Sequence, residues 1–267
     1  AYSLREVGRI TVGIAPIGLT ILPGDKYCLV SNAGENEFSI VDLDLRKEIH
    51  RIPVGREPRH PDSSSTGNFC LVPISGSDYI SRINVTTLQS EAPKLESIRE
   101  VNKIYLGEGT MPYSSAISPN GNMAIAANNQ ANFVSVIDLA ENEVVAKIDV
   151  GNKGARGATY SPDSLFAFVT IEDTNEIVAL DLQQMSVVQR YDVAPGPRGI
   201  VYDEETDVLY ASGFSRSRGA RGMANSIAVL TFSGGLKNLP LTTAGTQPQY
   251  QDARVGAGPC SVSIFKT

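Results

Sequence analysis

An all-β protein made of repeated four-stranded units is what this sequence predicts, and three observations predict it. The 267 residues include 24 Gly and 15 Pro, and the hydrophobic 42% falls into short runs rather than helix-length stripes. That is the make-up of a turn-rich β protein. Next, a junction of the form Val-Gly-x-x-Pro recurs as VGIAP (12–16), VGREP (54–58) and VGAGP (255–259), with looser copies at LGEGTMP (106–112), VGNKGA (150–155) and VAPGP (193–197). In chain order the first five begin at 12, 54, 106, 150 and 193, hence 42, 52, 44 and 43 residues apart. Third, the strand–turn–strand phrase SVIDLAENEVVAKIDVG (135–151) has counterparts in FSIVDLDLRKEIHRIPVG (38–55) and IVALDLQQMSVVQRYDVA (177–194). A period of about 43 residues holding four short strands is the signature of a β-propeller blade.

Within each unit the order is steady. An inner strand follows the junction, as in SSAISPNG (114–121) and GATYSPDS (157–164), where the Ser-Pro pieces are turns: Pro fixes φ, and Gly or Asn accepts positive φ. The second strand reads KYCLVSN, NFCLVPI, NMAIAAN, LFAFVTI and DVLYASG; the third reads EFSIVDL, YISRINV, FVSVIDL, EIVALDL and SIAVLTF. These runs are near-continuously apolar, as strands covered on both faces must be. They nominate a core of Leu29, Val30, Ile40, Val41, Ile125, Val134, Val136, Ile137, Phe168, Val169, Val178 and Leu180. A fourth, more polar strand leads back to the next junction. Asp42, Asp138 and Asp181 close the third strand, with Asn84 in their place in the second unit. Short polar side chains there suit turn-building through nearby backbone N–H groups better than metal binding.

One four-stranded sheet cannot cover both of its faces, so the units must stack. The expectation is a single domain over 1–267, with blade-like units at about 13–55, 56–107, 108–151, 152–194 and 195–247. A sixth, closing blade is expected from 248–267 together with 1–12, using QYQDARVG, CSVSIFKT and LREVGRITV; seven blades are expected if the parent chain is longer.

These repeats resemble those of the YVTN-repeat β-propeller family, best over 108–194, fairly over 13–107 and poorly beyond 213. That resemblance implies the propeller fold. It spans surface proteins, lactonase-like enzymes and redox-linked propellers, so it leaves function to the loops.

Bulk properties narrow the function classes. A net charge of −6 and a sequence pI near 5.1 argue against a nucleic-acid partner. The uncharged stretch ITVGIAPIGLTILPG (10–24) is interrupted by Gly and Pro, and no run reaches the ~18 apolar residues of a membrane helix. Cys28 and Cys70 hold the same place in successive units and Cys260 lies near the end; their spacing fits no metal or CxxC pattern. They read as buried strand residues, with a Cys28–Cys70 disulfide left open. The chain opens on Ala1, which fits an exported protein or a trimmed one; the localisation expected is extracellular or periplasmic. Asn84-Val85-Thr86 is a glycosylation sequon, of consequence only in a eukaryotic secretory setting. GxSxG, P-loop, HExxH and EF-hand patterns are missing, and neither a metal nor a cofactor of the chain's own is expected.

Candidate site residues come from position. In a propeller the residues just after the junction proline gather at the channel mouth, and counting along the units gives Ile17, Arg59, Tyr113, Arg156 and Arg198, with His60 following Arg59. Guanidinium groups suit carboxylates and phosphates. A ligand-binding mouth of Arg59, His60, Tyr113, Arg156 and Arg198 therefore competes with a second reading, in which the arginines pair with acids such as Glu57, Glu108 and Asp203 and brace the blades. The loop GFSRSRGARGMAN (213–225) adds Arg216, Arg218 and Arg221, read as solvated charge. The PRH of 58–60 is similar to the GPRH junction of propeller lactonases, and that resemblance implies Arg59 and His60 as the catalytic pair of a hydrolase. A haem- or quinone-linked role would need axial ligands, and only His50 and His60 exist. The expected function is thus a non-catalytic propeller binding or scaffold module that takes a protein partner or a small anionic ligand. A lactonase-like hydrolase is the alternative, and a subunit or assembly factor of a redox system the second.

Overall fold

The structure is a computed structural model that describes residues 6–214, 225–232 and 249–254. The chain divides into two compact units, Ala1–Gly107 and Glu108–Thr267. The first contains two sheets: β1 (Pro16–Ile21), β2 (Tyr27–Asn32), β3 (Glu37–Asp42) and β4 (Lys47–Pro53), then β5 (Asp62–Ser63), β6 (Phe69–Ile74), β7 (Tyr79–Asn84) and β8 (Arg99–Tyr105). The second contains three. They are β9 (Pro112–Ile117), β10 (Met123–Asn128), β11 (Phe133–Asp138) and β12 (Glu143–Asp149); β13 (Ala155–Tyr160), β14 (Phe166–Ile171), β15 (Glu176–Asp181) and β16 (Ser186–Asp192); and β17 (Pro197–Asp203), β18 (Val208–Phe214), β19 (Asn225–Thr231) and β20 (Gln249–Arg254). Each sheet is an antiparallel meander in chain order. Among the described residues the only helical pieces are short 3-10 turns, such as Thr86–Gln89 and Leu95–Ser97 between β7 and β8.

Burial follows the strand patterns. FAFVTI of β14 is buried throughout, whereas EVVAKID of β12 mostly alternates with exposed residues, as the outermost strand of a sheet should. All twelve nominated core residues are buried. Between the third and fourth strands of the first four sheets the register slips at one recurring place: Ile40/Val41, Arg82/Ile83, Val136/Ile137 and Ala179/Leu180. A bulge at that point adds twist, which repeats from blade to blade.

The recurring aspartates build turns. Asp42 Oδ1 accepts from Leu45 N (2.8 Å), Asp138 Oδ1 from Ala140 N and Glu141 N (2.8 and 3.0 Å), and Asp181 Oδ1 from Gln183 N and Gln184 N (2.8 and 2.9 Å). Asn84 Oδ1 does the same for Thr86 N at 3.0 Å. Cys28 and Cys70 are buried free thiols, and burial pushes the Cys28 thiol up to about 11. Cys260 lies outside the described residues.

The expectation of six blades, or seven, is corrected: the described residues form five. QYQDAR was assigned to a closing blade, but Gln249–Arg254 pairs along β19, from Thr231↔Gln249 to Ser226↔Arg254, and is the outer strand of the fifth sheet. The connection from Phe232 to Gln249 is far longer than the hairpins that join β11 to β12 or β15 to β16, so the fourth strand of that unit is displaced along the sequence. Residues 6–12, assigned to the same closing blade, form no strand. CSVSIFKT lies outside the described residues, as do 215–224 with Arg216, Arg218 and Arg221.

Candidate ligand-binding rim

The residue at which each inner segment starts to pair is preceded by one in the left-handed region: Ala15 (φ 51°), Met111 (47°), Gly154 (96°) and Gly196 (69°) directly before β1, β9, β13 and β17, and Glu57 (56°) directly before the Pro58 bridge. The carbonyl of that left-handed residue accepts the N–H of the residue at the end of the second strand of the same sheet. This is Ala33, Ser75, Asn129 and Glu172, just past the strand, and Phe214, its last residue, at 3.1, 3.1, 3.1, 2.8 and 2.7 Å. In two places the preceding blade adds a side-chain latch: Asn36 Oδ1 accepts from Glu57 N (3.0 Å) and Asn175 Oδ1 from Gly196 N (2.9 Å). This is what the Val-Gly-x-x-Pro spacing encodes: a turned residue, then a strand launched at a fixed place.

That launch point carries the candidates. Ile17, Tyr113, Arg156 and Arg198 are each the second residue of their inner strand, while Arg59 precedes the short β5 and follows Pro58, which bridges to Ile74. Small residues next in line admit the neighbouring blade. A Cβ on Gly157 would lie 2.2 Å from the Arg198 carbonyl oxygen, and one on Gly18 would lie 2.6 Å from the His60 Cα. Hydroxyls fix the arginine backbones: Ser114 Oγ donates to the Arg156 carbonyl (2.7 Å) and Thr170 Oγ1 to that of Arg198 (2.8 Å).

In the second unit three of the nominated residues are brought together, around one acid that was not nominated. Arg198 places Nε and Nη2 on Glu172 Oε1 at 3.0 and 2.6 Å, and Arg156 Nε binds Glu172 Oε2. The Arg156 guanidinium lies over the Tyr113 ring, 4.3 Å from its centroid, and that of Arg198 lies 3.7 Å from the centroid of Phe214. The series Tyr113–Arg156–Glu172–Arg198–Phe214 alternates ring, cation, anion, cation, ring. Both cation–π contacts and charge-assisted hydrogen bonds favour it. Burial works to raise the Glu172 carboxyl, but hydrogen bonds and charge from Arg198 and Arg156 outweigh it and hold the group below its ordinary range. The Arg198 side chain is only 8% exposed, so it is held within the cluster rather than standing in open solvent.

In the first unit Arg59 pairs with Glu57, Nη2 to Oε2, at 2.7 Å, as the bracing reading had nominated. His60 is half-buried against Gly18. Glu108 and Asp203 are not the partners of Arg156 and Arg198. Sequence reasoning missed Glu172 and Phe214, although aligning the units at the end of the second strand would have exposed both. Among the described residues no cluster of His, Cys, Asp and Glu could hold a metal.

Five four-stranded meanders with inner strands launched from one repeated junction define a β-propeller. Solved structures agree. The chain matches a structure of Kuenenia stuttgartiensis hydrazine synthase with a TM-score of 0.74 at 17% identity, over 95% of this chain and 70% of that one. It matches the Myceliophteria thermophila Cps50 (Swd1) β-propeller domain with a TM-score of 0.68 at 11% identity, over 92% and 73%. A chain of a mitotic checkpoint complex gives 0.71 at 10% identity, over 91% and 66%. At such identities the likeness is one of fold alone. No family model and no curated protein sequence matches the chain.

Proposed function

We propose that this protein is a non-catalytic β-propeller binding module, with repeats of the YVTN type, whose junction-end rim takes an acidic partner or a small anionic ligand. The observation that carries this reading is the Arg156–Glu172–Arg198 cluster: two guanidinium groups share one carboxylate, which leaves a surplus positive charge on an otherwise acidic chain. Tyr113 at one end adds an aromatic face, and Arg59 with His60 is the corresponding element of the first unit. Fixed arginines suit carboxylate or phosphate oxygens, and a low-dielectric setting strengthens the pairing.

The test is calorimetric titration of the chain with inorganic phosphate, glutarate and an acidic hexapeptide. Arg156→Gln is expected to weaken the best of these by ~1–3 kcal/mol, about the worth of a charged hydrogen bond. Absence of binding by all three probes, with a lowered Tm in the variant, would leave Arg156 as a brace and remove this reading.

A further inference from the structure

We propose that Glu172 is a built-in competitor for the ligand's carboxylate: it occupies the arginine pair in the empty protein and sets how weakly an acidic ligand is held. The inference rests on the reading of this rim as an anion-binding surface and names the ligand chemistry as a carboxylate.

The position of Glu172 is the first support. The residue at the end of the second strand that makes the shared hydrogen bond to the left-handed residue is Ala33, Ser75, Asn129, Glu172 and Phe214 in the five blades. Only one of the five is acidic, so the fold itself does not ask for a carboxylate there. The second support is donor arithmetic. A guanidinium offers five N–H groups in a fixed fork. Arg156 uses Nε alone on Glu172, and Arg198 uses Nε and Nη2; neither Arg156 terminal nitrogen, nor Nη1 of Arg198, makes a hydrogen bond among the described residues. The pair therefore has donors for a second carboxylate, but that carboxylate meets the charge of Glu172 beside it. With Glu172 ionised the trio carries +1; with glutamine in its place the same two arginines carry +2, at unchanged side-chain size. Like charges close together in a half-buried setting repel strongly, so removal of this one should tighten carboxylate binding. Glu172 is itself partly exposed, at 19%, which keeps the cluster within reach of solvent.

The experiment is fluorescence anisotropy of a labelled hexaglutamate peptide on the full chain at low ionic strength, for wild type, Glu172→Gln, Arg156→Gln and Asp173→Asn. Asp173 is exposed and one residue away, so Asp173→Asn controls for net charge. The expected result is at least five-fold tighter binding for Glu172→Gln, at least five-fold weaker for Arg156→Gln, and little change for Asp173→Asn. Unlabelled glutarate as competitor separates the sources: displacement at low millimolar concentration assigns a small acid, and persistence assigns an acidic chain segment. Equal tightening by Glu172→Gln and Asp173→Asn reduces the effect to bulk charge and overturns the proposal. Weaker binding in both Glu172→Gln and Arg156→Gln makes Glu172 a positioning group and overturns it, with the anion-binding reading intact. No binding by any form removes that reading itself. Should Glu172→Gln fail to fold, Glu172→Ser replaces it, with the same expected direction.

Discussion

Blade 2 and blade 5 carry the same Pro-Arg step, Pro58-Arg59 and Pro197-Arg198, and put it to different uses. In blade 5 the inner strand continues through Asp203, the Gly199 N–H reaches Ser212 Oγ at 3.1 Å, and the Arg198 carbonyl is held by Thr170 of the blade before it. Fixed in this way, Arg198 reaches back to Glu172 and is nearly buried. In blade 2 the inner strand is reduced to isolated bridges, at Pro58 (to Ile74) and at His60, with the Arg59 N–H on the Pro73 carbonyl at 2.9 Å, and a ladder resumes only at Asp62–Ser63. Pro58 and Pro61 have no N–H to give the ladder, so between them the pairing is interrupted rather than continuous. Arg59 there takes the acid two residues away, Glu57, whose own side chain is 51% exposed. The same dipeptide thus yields a buried inter-blade pair or a local surface pair, according to the continuity of the strand that carries it.

The sharpest test of this contrast lies one residue upstream. Gly196 and Glu57 share the left-handed conformation, but a Cβ on Gly196 would sit 1.9 Å from the Phe214 carbonyl oxygen. Glu57 and Ala15 already carry a Cβ at the equivalent place, so positive φ alone is tolerated there. Gly196→Ala should cost about 3 kcal/mol or more, because backbone must move as well as twist. A loss near 1 kcal/mol by denaturant unfolding would mean that the blade 5 junction is no tighter than that of blade 2.

Next in size is Arg198→Ala, expected to cost about 2 kcal/mol: Glu172 keeps Arg156 but loses two charged hydrogen bonds, and Phe214 loses its cationic cover. The pH dependence gives a smaller and more specific signal. A carboxyl whose folded pKa is depressed contributes stability that is present above its unfolded value, ~4.3, and is lost as pH falls through the lowered folded value. Wild type should therefore exceed Glu172→Gln in Tm at pH 6, and the gap should narrow as the solution is acidified below about pH 4. A gap of constant width would show that Glu172 makes no charge-dependent contribution.

Most of the fold was legible because it is periodic. The junction, the apolar second and third strands and the turn-closing Asp42, Asp138 and Asp181 repeat at intervals that a single chain displays openly. The fifth blade's outer strand was not legible. QYQDAR has no apolar pattern of its own and stands far from β19, so only backbone pairing assigns it. The site was half legible. Tyr113, Arg156 and Arg198 follow from counting, whereas Glu172 belongs to a turn in another register of the repeat. Its meeting with Arg198 depends on how one blade lies against the next.

The smallest effect is the one that decides whether the two blades truly differ. Arg59→Ala removes a pair in which the arginine side chain is 21% exposed and its acid more so, with only one residue between them in sequence. Water screens such a contact, and ordering two long side chains offsets much of the attraction, so exposed pairs contribute about 0–1 kcal/mol. The substitution should therefore move stability by about 0.5 kcal/mol or less, several-fold below Arg198→Ala. Equilibrium unfolding of the two variants under one buffer measures the difference directly. A loss above ~1.5 kcal/mol for Arg59→Ala would exceed what a surface pair supplies and would make Arg59 a brace like Arg198. Strand continuity would then not be what separates the two arginines, and the interrupted pairing between Pro58 and Pro61 would have to be compensated by contacts around His60.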